Sequence, residues 1–275
     1  IFNRRLFWDA RESNLAQQVW SPLLAKNEMN NPSVGHVLEQ LHSDEEYLGM
    51  FMNTFGEKAN MMNVGQALAQ YQQSLIGASS RFDQWYFGRD KNALNELEQQ
   101  GFTVFMGKGA CQSCHSVGDN YALFTDQQLH NTGVGYEDSM RKTPKSIAIQ
   151  LAPGMSAEVD KELINSVGEK KENDLGLYEV TLKPPDRWKY RTPSLRNVAL
   201  TAPYMHNGEF SSLDEVIEFY NVGGTPNALR SPLIRPLNFT TDEQVALREF
   251  LKSLTSSNVA ELVLDGFAAP VGDVL

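Results

Sequence analysis

The residues of this sequence whose types and spacing indicate a chemical role form a Cys-x-x-Cys-His segment, Cys111 to His115. Two thiols and an adjacent histidine at this spacing attach a haem covalently, and the imidazole binds the iron from one side. Cys111 and Cys114 are the only cysteines, so a disulfide, a zinc site or a redox pair are the alternatives. Zinc would need two more ligands at suitable spacing, and a redox pair would normally follow a strand. The residues before Cys111 have helical spacing, and the segment therefore predicts a covalent c-type haem.

The iron needs a second axial ligand, or one coordination site stays open. Met205, His206 and Tyr220 are all possible ligands in the downstream part of the chain. Tyr220 lies on the apolar face of a predicted helix, where an ordinary core tyrosine would also lie. The residues alone leave all three candidates open.

The elements that must position these residues are predicted to be mostly helical. Apolar residues recur with helical spacing in four stretches: Leu94, Leu97, Gly101, Phe102 and Phe105; Val64, Leu68, Tyr71 and Leu75; Leu213, Val216, Ile217 and Tyr220; and Val245, Phe250, Leu251 and Leu254. Thr241 is the expected cap of the last stretch, and a short hairpin is expected around Tyr178 to Leu182. We expect a domain junction at residues 77–89 and a charged insertion at residues 151–190. The residues from Ser256 onward are expected to form a tail that lies along the body of the protein.

The composition limits the classes of function. The chain has 275 residues, of which 41% are hydrophobic and 21% charged, as in a soluble globular protein. A net charge of -10 and a pI of about 5.0 argue against nucleic acid as a partner and suit a basic protein. No apolar run is long enough to span a membrane. Covalent haem is attached outside the cytoplasm, so we expect a periplasmic protein. Because the chain begins at Ile1 and not at methionine, we also expect a processed or partial product.

Six segments resemble the bacterial di-haem cytochrome c peroxidase and MauG family, and they occur in the family's order: Phe7–Arg11, Pro22–Met29, Cys111–His115, His130–Gly135, Arg191–Asn197 and Thr201–Gly208. The resemblance implies a mostly α fold of two cytochrome c-like domains with one haem each. Residues 1–88 would be the remainder of the N-terminal, peroxidatic domain, residues 89–255 the C-terminal haem domain, and residues 256–275 a tail. The family's first haem motif would lie upstream of Trp8, so a second haem is expected on a segment missing from this chain.

The resemblance also implies roles for individual residues. Trp8 would lie between the haems, and Gln18 and Glu28 would lie over the open haem that binds peroxide. His115 and Tyr220 would be the axial ligands of the second haem, at whose sixth position typical peroxidases have methionine. Ala10 replaces the glycine of the family's usual first segment, a mild departure.

Further residues are implied around the second haem. His206 would lie near the haems without binding iron, or be a hydrogen-bonded core histidine. Arg191 and Arg196 would pair with haem propionates, or form surface salt bridges. Thr201 and Pro203 match positions that give oxygen ligands to a calcium ion between the haems.

The implied function is that of a haem-dependent oxidoreductase. A phenolate ligand stabilises oxidised iron better than a thioether does, which favours a MauG-like enzyme. Such an enzyme would use hydrogen peroxide to oxidise a partner protein, at tryptophan, through a high-valent two-haem state. The alternatives are a conventional peroxidase supplied with electrons by a small redox protein, and a non-enzymatic haem electron carrier.

One departure from the family concerns the partner. MauG's surface tryptophan before its second haem motif is matched by Gly109 in this chain, so we expect a different partner and transfer path. Trp20, Trp85 and Trp188 are alternative routes, or ordinary packing residues.

Overall fold

The protein is mostly helical, as predicted, with about 46% of its residues in helices. The computed structural model describes residues 2–77, 79–140, 146–167 and 174–268. The helices are α1 (Leu15–Gln18), α2 (Trp20–Leu24), α3 (Val34–Ser43), α4 (Glu45–Phe55), α5 (Met61–Ser74), α6 (Arg81–Tyr86), α7 (Glu96–Met106), α8 (Val134–Met140), α9 (Lys161–Val167), α10 (Tyr178–Thr181), α11 (Leu213–Asn221), α12 (Thr241–Lys252) and α13 (Val259–Ala268). None of the described helices is both long enough and apolar enough to cross a lipid bilayer.

The strands of the described residues form two small antiparallel pairs. Strand β1 (Leu129–His130) pairs with β4 (Tyr190–Arg191), so that Leu129 lies opposite Arg191. Strands β2 (Ser146–Ala152) and β3 (Met155–Asp160) form a hairpin. The β1–β4 pair matters for the site because it fixes the start of the segment that contains Arg191.

The chain packs around two hydrophobic cores. The first core contains Val19, Trp20, Val37, Phe51, Ala59 and Val64. The second is built largely of phenylalanine, with Phe82, Phe105, Phe124, Phe239 and Phe250 beside Leu213, Ile217, Leu247, Leu251 and Leu254. Phe82 lies in α6, so this helix packs with the second core although the predicted boundary at residue 88 assigned it to the first unit. The domain limits themselves remain a prediction.

Helix α7 leads directly into the Cys-x-x-Cys-His segment. Its N-terminus has a capping box in which Asn95 accepts from the Glu98 amide and Glu98 accepts from the Asn95 amide. Glu98 is also paired with Arg81. Near its middle, Gly101 lets α12 approach so closely that a Cβ there would lie 2.0 Å from the Ala246 carbonyl oxygen. The crossing of α7 and α12 therefore fixes where the motif begins.

The helices expected from apolar spacing are confirmed in α5, α7, α11 and α12. The cap of α12 was predicted one residue too late, because the side chain of Thr240, not Thr241, accepts from the Glu243 amide. The hairpin expected around Tyr178 to Leu182 is wrong. Those residues form the short helix α10, which ends where Leu182 adopts a left-handed backbone with φ 55°. The charged insertion contains β3, α9 and α10, and residues 168–173 of it lie outside the described residues.

Candidate haem-binding site

A cavity of about 210 Å³ opens beside the Cys-x-x-Cys-His segment. The predicted site residues that line it come from four parts of the chain: Trp8; Cys111, Cys114 and His115; Arg191, Met205 and His206; and Tyr220. Apolar side chains form much of the remaining wall, namely Val134, Leu195, Val198, Leu213, Val216, Leu237 and Leu251. Residues as far apart in the sequence as Trp8 and Leu251 thus meet around one space with an apolar wall.

His115 is oriented by the backbone. Its Nδ1 lies 2.8 Å from the carbonyl oxygen of Phe124, and a carbonyl oxygen only accepts, so Nδ1 carries the hydrogen. Burial lowers the pKa of the imidazole, which keeps the ring neutral at neutral pH. The lone pair of Nε2 is therefore available to a metal, as in histidine ligands oriented by a backbone carbonyl.

The two thiols are free and half-buried. Burial raises the pKa of Cys111 to about 12 and that of Cys114 to about 11. A redox cysteine has a lowered pKa, which disagrees with these surroundings, and the two thiols supply only two of the four ligands of a structural zinc site. A thioether sulfur has no charge, and it fits the same apolar walls. The site therefore favours covalent attachment.

Three tyrosines line the cavity, and their hydroxyls differ. The Tyr190 hydroxyl donates to the Asp174 carbonyl at 3.0 Å, and the Tyr204 hydroxyl donates to the Val198 carbonyl at 3.1 Å. For Tyr220 no such bond to another described residue is seen. Burial, with the neighbouring cysteines as a second cause, raises the pKa of Tyr220. A phenol in this position stays neutral unless a cation binds its oxygen, so its chemistry suits a metal ligand.

The other two candidates for the sixth position also reach the cavity. Met205 lines it from a left-handed backbone position with φ 69°. The ring of His206 lies flat on the ring of Tyr190, with centroids 3.5 Å apart and planes 16° apart. This stack orients the His206 ring along the cavity wall, which agrees with the supporting role implied by the family resemblance.

The two predicted propionate-binding arginines have different surroundings. Arg191 lines the cavity, donates to the Asn3 side chain at 3.1 Å, and forms no salt bridge with a carboxylate among the described residues. Burial lowers the pKa of Arg191, so an anion in the cavity would find an uncompensated cation. Arg196 is instead paired with Asp83, Nη2 to Oδ1 at 2.8 Å, and donates to the Ala122 carbonyl. The structure does not bring Arg196 to the cavity.

Trp8 lies at the cavity rim and is 37% exposed. Its carbonyl oxygen accepts from the Arg191 amide at 2.9 Å, and the Arg191 guanidinium lies 5.9 Å from its ring centroid. Gln18 in α1 is half-buried and Glu28 is exposed, and neither lines this cavity. Their predicted place over another haem is not tested by these positions.

The calcium prediction also remains untested. The Thr201 hydroxyl donates to the Val198 carbonyl at 3.1 Å, and Pro203 follows a cis peptide bond.

His130 and Asp126 are site residues that sequence reasoning missed. His130 lines the cavity, and its Nε2 lies 2.7 Å from the Asp126 carboxylate. With Cys114 they form a group whose possible ligand atoms lie within 4.8 Å of one another. This group offers three ligand atoms whereas a structural zinc site takes four, so it is better explained as a support of the haem wall. The His130–Gly135 segment was recognised, but only as a family match.

Gly109 cannot accommodate the larger residue found in MauG without rearrangement. A Cβ there would lie 2.8 Å from the Val104 carbonyl oxygen and 3.1 Å from both Cys111 Sγ and the Phe239 ring. A tryptophan at this position would have no room in the present packing.

A half-buried imidazole held by a backbone carbonyl, two half-buried thiols and an apolar cavity in a helical fold are the features of a site for covalently bound haem. Comparison with known proteins places the chain more narrowly. The family described as di-haem cytochrome c peroxidase matches residues 1–91. Cytochrome-c peroxidase IdrP1 of Pseudomonas sp. (strain SCT) is 34% identical over 264 residues, which cover 93% of this chain and 66% of the relative.

MauG of Methylorubrum extorquens is 30% identical over 92% of this chain and 61% of its own length. The crystal structure of a MauG-like protein associated with microbial copper homeostasis superimposes with a TM-score of 0.71 at 26% identity. That superposition covers 95% of this chain and 73% of the other. The chain belongs to the di-haem cytochrome c peroxidase and MauG family. It spans about two thirds or less of the length of these curated relatives.

Proposed function

We propose that this chain holds the second haem of a MauG-like enzyme that uses hydrogen peroxide to oxidise a partner protein. The observation that supports this assignment is the Tyr220 hydroxyl. Of the three cavity tyrosines, Tyr190 and Tyr204 give their hydroxyls to backbone carbonyls, whereas no such bond is seen for Tyr220 among the described residues. Tyr220 and His115 line the same cavity, so Tyr220 would be the second protein ligand of the haem iron.

The protein side chains have separate tasks in this proposal. The bound haem supplies the oxidation–reduction chemistry. His115 would offer Nε2 to the iron while the Phe124 carbonyl holds its Nδ1. Arg191 would compensate the charge of a propionate. Cys111 and Cys114 would fix the porphyrin covalently, and the apolar wall would exclude water.

Residues of the N-terminal part would serve peroxide at the haem outside this chain. The exposed Glu28 carboxylate would carry a proton between the two peroxide oxygens, and the Gln18 amide would orient the peroxide. Trp8, at the rim of the cavity beside Cys111 to His115, would connect the two haem sites. A calcium ion near Thr201 and Pro203 and a periplasmic location complete the proposal.

Oxidation of a protein is favoured over electron uptake by the type of ligand. An anionic phenolate oxygen stabilises oxidised iron, whereas a thioether stabilises reduced iron. A haem with Tyr220 as ligand would therefore store oxidising equivalents better than it would supply electrons. The acidic chain, with net charge -10, suits a partner with a basic surface. We propose tryptophan as the oxidised side chain.

A conventional peroxidase supplied by a small redox protein is the second candidate. Met205 lines the same cavity as Tyr220, and a thioether ligand would suit an electron-donating haem. Relatives of both kinds match the chain, one named cytochrome-c peroxidase and one named MauG. The two candidates therefore differ in which side chain binds the iron.

Replacement of each ligand candidate separates them. In the full-length protein with both haems, we expect Tyr220→Phe to change the optical and paramagnetic-resonance spectra of the second haem and to shorten the life of the peroxide-oxidised state. Tyr204→Phe is the matched control, because it removes a cavity hydroxyl that is already bonded to Val198, and it should leave the spectra unchanged. If Met205→Leu changes the spectra and Tyr220→Phe does not, the conventional peroxidase is correct.

A further inference from the structure

The wall of the cavity contains an aromatic ring, that of Tyr190, with close contacts to two other parts of the chain. Tyr190 is buried, and one face of its ring is stacked on His206 at 3.5 Å. Its other neighbour is helix α8, where Gly135 lies so close that a Cβ would be 2.5 Å from the Tyr190 hydroxyl oxygen. Only glycine permits this approach, so the backbone of α8 is in direct contact with the ring.

From Gly135 a short series of hydrogen bonds leads away from the cavity. The Gly135 carbonyl accepts from the Ser139 hydroxyl at 2.7 Å, and that hydroxyl accepts from the indole N–H of Trp188 at 3.1 Å. The Trp188 ring meets the ring of Tyr136 edge to face, with centroids 5.1 Å apart. Trp188 and Tyr136 are both partly exposed. Continuous contacts therefore join the cavity wall to the surface.

The residue types along this route suit the transport of an oxidising equivalent. Indole and phenol rings lose an electron far more readily than the phenyl ring of phenylalanine. Ser139 accepts the indole N–H of Trp188, and this hydrogen bond stabilises positive charge on the oxidised ring. Trp85 is the half-buried tryptophan that packs against the second core. Neither Trp85 nor its ring neighbours Phe82, Tyr86 and Phe102 line the cavity.

We propose that oxidising equivalents leave the haem cavity through Tyr190 to the surface pair of Trp188 and Tyr136. This proposal rests on the proposed function. It assigns a new exit because Gly109, at the position of MauG's surface tryptophan, has no aromatic ring. Each transfer moves one electron inward. An oxidisable side chain of the partner gives an electron to Trp188, and Trp188 replaces the electron lost from Tyr190. Two such transfers supply the two electrons that, with two protons, reduce hydrogen peroxide to two molecules of water.

Without a partner, the exit residue itself should be consumed. Trp188 would lose two electrons and two protons, and water would add an oxygen atom to its ring. Together with the reduction of peroxide, the balance is one tryptophan and one hydrogen peroxide giving one hydroxytryptophan and one water. The product is therefore a Trp188 peptide heavier by one oxygen atom.

The test uses the full-length protein with both haems, treated with repeated equivalents of hydrogen peroxide and mapped by peptide mass spectrometry. We expect oxygen addition to concentrate at Trp188 and Tyr136, and Tyr190→Phe to reduce it several-fold. Trp188→Phe should lengthen the life of the peroxide-oxidised spectrum several-fold. Trp85 is a tryptophan of similar burial that lies outside the route, so Trp85→Phe should not change the lifetime of the peroxide-oxidised spectrum.

The outcomes separate this exit from the proposed function. Peroxide that changes no haem spectrum in the unmodified protein would refute the proposed function itself. A normal spectral response with oxidation concentrated at Trp85 or Trp20, or a lifetime changed by Trp85→Phe and not by Trp188→Phe, would overturn the exit alone. Both tryptophan variants keep an aromatic ring in place, so we expect them to fold. The unfolding temperature and the haem content of each variant would reveal a folding defect.

Discussion

Arg191 and Arg196 show how two residues of one type, five positions apart, acquire different tasks. Arg191 lines the cavity without a carboxylate partner among the described residues, whereas Arg196 is paired with Asp83. Burial alone would raise the pKa of Asp83, but hydrogen bonds from Arg196 and Ser80 outweigh it and hold the pKa below its ordinary value of 3.8. The Arg196–Asp83 pair therefore serves the fold.

Replacement of Arg196 should destabilise the protein without emptying the haem site. Arg196→Ala leaves a half-buried carboxylate without its cation, and we expect a loss of about 3 kcal/mol in the free energy of unfolding at pH 7. Denaturant unfolding measures it. Because the Asp83 pKa is lowered in the folded state, this stabilisation is present above pH 3.8 and disappears as the pH falls through the folded pKa.

Arg191→Ala is the companion variant for this measurement. It should shift the reduction potential of the bound haem, because a cation beside the propionates is removed, with a smaller loss of stability. Equal destabilisation by the two variants at pH 7, or a haem potential changed by Arg196→Ala alone, would contradict the separate tasks assigned to them.

At the level of single residues, the chemistry of the site was easier to predict from the sequence than the contacts between residues. The spacing of Cys111, Cys114 and His115 was enough to predict haem attachment, because the motif is local. The pairing of Arg196 with Asp83 joins residues 113 positions apart, and no local pattern indicates it. Tyr190 was missed for the same reason, since its proposed role depends on contacts with His206 and Gly135, which lie far from it in the sequence.

At the level of elements, the crossing of α7 and α12 depends on Gly101. A methyl group at this position would meet the Ala246 carbonyl oxygen at 2.0 Å and the Phe250 Cβ at 2.7 Å. We expect Gly101→Ala to separate the helices and to cost about 3 kcal/mol, the upper part of the range for overpacking, because the main clash is with backbone. Thermal or denaturant unfolding of the haem-loaded protein measures the loss.

Gly49 provides a control of opposite sign. It lies inside α4, and a Cβ there would have nothing within 4 Å. Gly49→Ala should raise the free energy of unfolding by about 0.5–1 kcal/mol, since alanine loses less backbone entropy in a helix. If Gly101→Ala were also neutral or stabilising, the two helices would not be in the close contact described above.

The sequence predicted those elements that have one clearly apolar face. Helices α5, α11 and α12 each bury a stripe of residues against a core, so their spacing was visible. The β2–β3 hairpin was not predicted, because its residues are exposed or half-exposed on both faces and lack a strong alternation. The α10 segment was mistaken for a hairpin, since four helical residues are too few to show a period.

At the level of the whole molecule, the N-terminal segment is held by the second unit, which is the predicted C-terminal haem domain of residues 89–255. Residues 2–12 precede the first core, yet their hydrogen bonds reach across to the haem side. Gln127 accepts from the Arg4 amide at 3.1 Å and donates to the Phe2 carbonyl at 3.1 Å. The Arg191 amide donates to the Trp8 carbonyl. Trp8 is therefore fixed relative to the cavity beside Cys111 to His115 by contacts that the order of residues along the chain does not suggest.

Gln127→Ala should loosen this attachment and leave the haem site intact. It removes two exposed hydrogen bonds that together contribute about 1 kcal/mol, so exchange of the Arg4 amide hydrogen should become roughly fivefold faster. Hydrogen exchange followed by mass spectrometry measures this change in the peptide containing Arg4. Gln128→Ala is the matched control, because the Gln128 side chain is exposed and makes no hydrogen bond seen among the described residues.

If Trp8 connects the two haem sites, Gln127→Ala should also slow electron exchange between the haems of the full-length protein, while the absorption of the second haem stays unchanged. Faster amide exchange with an unchanged rate between the haems would show that the connection does not depend on how the second unit holds Trp8.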